Sequence, residues 1–89
     1  MSTDNEELID FPTAFPVKIM GRNTEQFVSH AEALVLRHTD GDPALSVSSR
    51  PSANERFLSV TVEITATSRA QLDAIYQSLT DDPEVLMAL

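Results

Sequence analysis

The sequence predicts an α+β domain in which two helices cover one face of a four-stranded antiparallel sheet. Apolar and polar residues alternate in four short segments, as they do in half-buried strands. In two other segments apolar residues recur every three or four positions, as they do along one side of an amphipathic helix. A length of 89 residues suits one such domain with a single hydrophobic core.

Four segments are predicted to be strands. The first covers residues 15–20, and we expect Gly21 to end it by letting the backbone turn. The second, over residues 45–50, is more polar. The clearest strand covers residues 57–66, because every second residue there is apolar. The last is short and covers residues 84–89.

The first helix is predicted to begin at Asn23, which suits an N-cap and is followed three positions later by Gln26. Gly41 and Pro43 should end this helix of about four turns, since glycine and then proline commonly follow a helix. Its apolar stripe consists of Phe27, Ala31, Leu34, Val35 and His38.

The second helix is predicted to begin with a capping box formed by Ser68 and Gln71. The segment Asp81-Asp82-Pro83 should end it. Its apolar stripe consists of Leu72, Ile75, Tyr76 and Leu79. The resulting order, βαββαβ with a short loop between the middle strands, is that of the ferredoxin-like two-layer sandwich. In that topology the first and third strands lie at the centre of the sheet.

Residues 1–10 are predicted to be a flexible acidic leader to a single domain at residues 11–89. The leader has no basic residue, and its acidic residues are Asp4, Glu6, Glu7 and Asp10. A secretory signal would need a basic start and an apolar stretch, and no apolar run is long enough to span a bilayer. We therefore expect a cytoplasmic protein without a membrane partner.

Composition and charge argue against nucleic acid as a partner. The chain has 14 acidic and 6 basic residues, a net charge of −8, and no cysteine for a disulfide or a thiolate metal site. Nucleic acids are bound by clustered Lys and Arg, and RNA is also stacked on aromatic side chains of a sheet. The sheet face away from the helices should carry one aromatic residue, Phe57, and the carboxylate of Glu63 beside Lys18 and Met20.

The sequence also lacks a pattern for catalysis or metal binding. His30 and His38 are eight positions apart on the predicted helix, whereas one metal ion needs a spacing of about four. The acidic segment at residues 38–42 lacks the closing glutamate of a calcium loop. None of the serines lies in a nucleophile-elbow sequence, and no glycine-rich phosphate loop exists. We expect no enzyme activity, no metal and no cofactor.

The turn after the first strand is the candidate ligand site, with Gly21, Arg22, Asn23 and Thr24 as its residues. Backbone N–H groups at the start of the following helix, with Arg22 beside them, suit a small anion or carboxylate. The alternative interpretation is a tight turn followed by a helix cap, because every helix has such a terminus.

The chain resembles the YbeD-like family of small bacterial proteins over residues 8–89. The similar segments are Phe11-Pro12-Thr13 with Phe15, residues 18–21, Arg37-His38, residues 59–67 and residues 85–89. The resemblance implies a ferredoxin-like fold similar to that of ACT-type regulatory domains, which bind amino acids. Such domains carry a D-x-P-G-like segment after the first strand. Here Gly21 is followed by Arg22-Asn23-Thr24, without the proline.

Two functions follow as expectations. The first is a non-enzymatic regulatory or small-ligand-binding module, whose ligand is a small carboxylate or an amino acid and which pairs as a homodimer. The second is a protein–protein adaptor that acts through the open sheet face or the acidic leader. Sequence alone does not rank them.

Overall fold

The computed structural model describes residues 9–89 and has the predicted βαββαβ order. Its elements are β1 (Thr13–Arg22), α1 (Phe27–Leu36), β2 (Ser46–Pro51), β3 (Phe57–Ala66), α2 (Arg69–Asp81) and β4 (Val85–Ala88). Within this part of the chain the strands form one sheet in the order β2-β3-β1-β4, and all neighbours are antiparallel. The predicted fold class is therefore confirmed. Most of the predicted leader, residues 1–8, lies outside the described residues.

The pair formed by β1 and β3 is the centre of the sheet. It runs without interruption from Thr13 opposite Ala66 to Arg22 opposite Phe57. Alternate side chains of β3 are buried, as the sequence predicts. They form the floor of the core together with Val17 and Ile19 of β1. Full burial of each such aliphatic side chain contributes roughly 1.5–3 kcal/mol.

The two helices cover this floor with their predicted apolar stripes. The buried residues are Phe27, Ala31, Leu34 and Val35 on α1, and Leu72, Ile75 and Leu79 on α2. The opposite face of the sheet carries no helix among the described elements. We call it the open face.

Gly21 does not form a turn, contrary to the sequence prediction. It is a buried residue near the end of β1, and its φ angle lies outside the left-handed region that favours glycine. Its role is steric: a Cβ atom at this position would collide with the Phe27 ring and lie 2.8 Å from the Glu84 carbonyl oxygen. The absence of a side chain therefore lets α1 and the start of β4 approach β1 closely.

The start of α1 is also later than predicted. Gln26 occupies the N-cap and the helix begins at Phe27, so Asn23 is not its cap. The Asn23 side chain instead donates to the Glu55 carbonyl oxygen at 3.0 Å, which ties the end of β1 to the β2–β3 loop. A long-range backbone partner thus competes successfully with the local cap.

The end of α1 differs as well, because the helix stops at Leu36 before Gly41 is reached. Turns follow, with Asp40 and Gly41 at φ angles of 52° and 88°. The buried Thr39 hydroxyl lies 3.1 Å from the Leu36 carbonyl oxygen and 2.8 Å from that of Asp42. His38 is therefore beyond the helix, and its imidazole is hydrogen-bonded to Ser78 on α2 at 2.7 Å.

Ser68 is the N-cap of α2, as predicted, but the capping box is not closed, because the Gln71 side chain bonds the Thr67 amide and not the amide of the N-cap. The Gln71 amide donates to the Ser68 hydroxyl at 3.0 Å, and the Gln71 side-chain oxygen accepts from the Thr67 amide at 2.7 Å. The Gln71 side-chain nitrogen also donates to the His38 carbonyl oxygen at 2.9 Å. The Gln71 side chain therefore links the start of α2 to the segment that follows α1.

We predict that Gly21→Ala destabilises the domain by about 1–3 kcal/mol, because the new methyl group overpacks the contact with Phe27. Phe27→Leu shortens the opposing ring, so it should relieve part of this cost. The free energy of unfolding in urea for the two single variants and the double variant measures this coupling.

Gly41→Ala is the matched control, because position 41 is open and its cost arises only from the left-handed backbone. Its effect should add to that of Phe27→Leu without coupling. Equal coupling energies for the two glycines would contradict the steric role of Gly21.

Candidate functional site

The structure places the predicted residues Gly21, Arg22, Asn23 and Thr24 together, but their amides already have partners. The Asn23 amide donates to the Arg56 carbonyl oxygen at 3.0 Å, and the Thr24 amide donates to that of Arg22 at 2.9 Å. Arg22, Asn23 and Thr24 are exposed, whereas Gly21 is buried.

A hollow of about 320 Å³ adjoins this turn. Thr24, Gln26, Phe27, His30 and Glu84 line it. Among residues 9–89, no Lys or Arg lines the hollow, so it lacks the cationic side chains that favour the small anion that the sequence predicts at this turn.

His30 and Asp82 are hydrogen-bonded to each other beside the hollow. The His30 Nε2 atom lies 2.9 Å from both carboxylate oxygens of Asp82, whose side chain is 14% exposed. Desolvation raises the pKa of Asp82, but the hydrogen bonds from His30 and from the Glu84 amide outweigh it and lower the pKa below its usual value. The pair links α1 to the end of α2, so His30 has a structural role.

The open face offers a different site, which we call the basic depression. It has a volume of about 360 Å³ and is lined by Lys18, Ser48, Ser49, Arg50, Ser59 and Thr61. This volume lies within the range typical of small-molecule sites, about 300–1,000 Å³. The lining has two cationic groups, several hydroxyl groups and no carboxylate, although the whole chain has a net charge of −8.

Strand register explains how these residues meet. Lys18 lies opposite Thr61, and Thr61 lies opposite Ser48 on the other side. The neighbouring row places Met20 opposite Ser59 and Ser59 opposite Arg50. Lys18, Thr61 and Ser48 in one row and Ser59 and Arg50 in the next have the parity of the uncovered face. Ser49 has the other parity, because it lies opposite the buried Val60.

The polar groups of the depression are available to a ligand. Five of the lining side chains make no hydrogen bond or ion pair with another residue of the range 9–89. They are those of Lys18, Ser48, Arg50, Ser59 and Thr61. The neighbouring carboxylate of Glu63 accepts a hydrogen bond from the Ser46 hydroxyl at 3.3 Å. Hydroxyl donors beside two cations are suited to bind a carboxylate or another small anion.

Sequence reasoning found only part of this site. It predicted that Lys18, Ser59 and Thr61 would lie on the open face, and the register confirms this. It missed the contribution of Ser48 and Arg50 from β2. The signal was the polar alternation of β2, but assigning it to the same face requires the register of the β2–β3 hairpin.

Among residues 9–89, no group of three or more His, Asp or Glu side chains lies close enough to hold a metal ion. In the same range, neither helix has the length and apolar character that a membrane crossing requires.

The geometry described so far defines a ferredoxin-like α+β domain with a concave basic site on its open face. The chain belongs to the family described as "Protein of unknown function (DUF493)", which matches residues 6–89. This membership confirms the resemblance to YbeD-like proteins.

Two bacterial relatives, both described as UPF0250 proteins, align with this chain over its full length. The chain is 45% identical over 89 residues to a UPF0250 protein of Chromobacterium violaceum, with 100% of both chains covered. It is 40% identical over 89 residues to a UPF0250 protein of Paraburkholderia phytofirmans, again with 100% of both chains covered.

Two solved structures share the fold. Protein HP0495 from H. pylori has a TM-score of 0.73 and 18% identity, with 91% of this chain and 85% of that chain covered. The C-terminal domain of the MgtC protein from Mycobacterium tuberculosis has a TM-score of 0.67 and 13% identity, with 91% and 87% covered. At these identities the similarity establishes the fold alone.

We predict that Asp82→Asn loses less stability in acid than the unaltered protein. Because the folded pKa of Asp82 is lowered, its charged form stabilises the fold above the unfolded pKa of about 4, and this contribution is lost as the pH falls through the folded pKa. The gap in unfolding free energy between the two proteins should therefore narrow between about pH 6 and about pH 3.

His30→Gln should flatten the same pH dependence, since it removes a hydrogen bond that lowers the pKa. Urea unfolding across this range measures both effects. Parallel stability curves for the unaltered protein and Asp82→Asn would contradict the assigned role of the pair.

Proposed function

We propose that this protein is a non-enzymatic binding module that takes up a small carboxylate or an amino acid in the basic depression. The observation that carries the proposal is that Lys18 and Arg50 line one depression together with Ser59 and Thr61, with no acidic residue in the lining. The module would be regulatory if a ligand in the basic depression changes which partner binds the open face.

Electrostatics favours an anion at this position. A unit negative charge about 4 Å from one cation gains roughly 1 kcal/mol in water and about 4 kcal/mol at an effective dielectric constant of about 20. Two cationic side chains line the depression, and Ser59 and Thr61 are half-buried, so their hydroxyl groups are partly shielded from bulk water. The attraction also draws anions towards a protein that is otherwise acidic.

A small ligand accounts for the depression better than a protein surface does, because its polar groups converge on a concave space. The adaptor function predicted from the sequence becomes the alternative if no small anion binds. Pairing as a homodimer stays a prediction of the sequence. A cytoplasmic location remains a prediction of the sequence.

Lys18→Gln and Arg50→Gln should each weaken carboxylate binding by about tenfold, through loss of one cationic partner. NMR titration with acetate, succinate and a panel of amino acids measures this through the backbone amides of the depression. Affinity should fall as ionic strength rises from about 0.01 M to about 0.15 M, since the screening length shortens from about 30 Å to about 8 Å.

Arg69→Gln is the matched control, because Arg69 lies on α2 and pairs with Asp73 at 3.4 Å, away from the open face. It should leave binding unchanged. Glu63→Gln should strengthen binding, since it removes the nearest acidic group of the same face. Equal effects of Arg69→Gln and Lys18→Gln, or no shifts with any carboxylate, would overturn the proposal.

A further inference from the structure

An apolar hollow adjoins the basic depression on the open face. It has a volume of about 160 Å³. Arg50 and Ser59 line both spaces, so the two meet at these residues. We call the second space the Phe57 hollow, and its apolar lining residues are Met20, Pro51, Phe57 and Leu58.

The Phe57 hollow lies at the end of the open face that is remote from the carboxylate of Glu63. Phe57 lies opposite Arg22 in the last row of the β1–β3 pair, and Ser59 lies in the next row. Thr61 and then Glu63 follow on the same side of β3. At about 3.4 Å per residue, the Cα atoms of Phe57 and Glu63 are about 20 Å apart. Within residues 9–89, no acidic residue lines the hollow.

Met20 and Phe57 are half-buried apolar side chains that core packing does not explain. Both have the parity of the open face, and neither belongs to the cluster of buried residues beneath the helices. They stand next to Arg50 and Ser59, whose polar groups also line the depression. Apolar surface in a concave space with a few polar groups beside it is typical of small-molecule sites.

The groups around the Phe57 hollow are those that bind an aromatic ring. A phenyl ring packs edge to face or offset against Phe57, and the sulfur of Met20 makes favourable contacts with a ring edge. The guanidinium group of Arg50 can stack on a ring and also donate to a carboxylate. The volume of about 160 Å³ is close to that of an apolar cavity that binds benzene, about 150 Å³.

We infer that the ligand is a carboxylate that carries an aromatic ring, with its carboxylate at Lys18 and Arg50 and its ring in the Phe57 hollow. Neighbouring residues on one face of a strand are about 6.8 Å apart, so a linker of a few bonds joins the row of Arg50 to that of Phe57. This inference rests on the proposed function and specifies the ligand class for the same site. Arylalkanoates and aromatic amino acids share this chemistry, and the probes below distinguish them.

Two pairs of probes differ only in the aromaticity of the ring. They are 3-phenylpropionate with 3-cyclohexylpropionate, and phenylalanine with cyclohexylalanine. NMR titration of the full chain should show about fivefold tighter binding of the phenyl compound in at least one pair, because only the flat ring makes the contacts with Phe57, Met20 and Arg50 that go beyond burial of apolar area. The preferred pair identifies the source of the ring.

Substitutions at Phe57 and Met20 test the hollow itself. Phe57→Leu should abolish the preference for the phenyl compound, whereas Phe57→Tyr, which keeps the ring, should retain it. Met20→Leu should reduce the preference about threefold through loss of the sulfur contact. Met87→Leu is the matched control, because Met87 lies opposite Met20 in the same row but does not line the hollow. Amide spectra without ligand show that each variant is folded.

The outcomes separate the inference from the proposed function. Equal affinity within both pairs of probes, lost in Lys18→Gln, would overturn the inference and leave the proposed function standing. A phenyl preference that persists unchanged in Phe57→Leu would overturn the inference as well. Absence of binding for every carboxylate, acetate included, would overturn the proposed function itself.

Discussion

Burial of alternate side chains on the two central strands determines where the other side chains of the sheet must lie. Because β1 and β3 pair without interruption, every residue between the buried ones points away from the helices. A slip of one residue would bury Lys18 and Glu63 and expose Val60 and Val62, at a cost of many kcal/mol. The same constraint that builds the core therefore places cations and hydroxyl groups on one surface.

Local patterns were sufficient wherever local and tertiary preferences agree. The alternation in β3 predicted its bounds and both of its faces, and Ser68 with Gln71 predicted the start of α2. Asn23 is different, because its side chain finds a carbonyl group 32 positions away in sequence. No short-range pattern predicts such a partner, and likewise the packing of Gly21 against Phe27 depends on how α1 crosses the sheet.

The candidate site depends on three strands that are distant in sequence, which limits what sequence could predict. Lys18, Ser59 and Thr61 follow from the parity of the central strands. Arg50 joins them only because the hairpin loop sets the register of β2. Met87 lies beside Met20 on the open face because β4 accommodates an extra residue at a bulge, since Met20 pairs with Met87 but Gly21 pairs with Val85. A bulge of this kind leaves no recognisable signal in a four-residue strand.

The three hydrogen bonds of Gln71 have a consequence for motion. A glutamate at position 71 would accept from the Thr67 amide equally well. Only an amide side chain can also donate to the His38 carbonyl oxygen. Fraying of the first turn of α2 therefore removes one of the two hydrogen bonds that join His38 to α2, and the bond to Ser78 keeps the opening of the two elements coupled. The two helices should open as one cooperative unit on the hydrogen-exchange timescale, while the β1–β3 pair beneath them exchanges only on global unfolding.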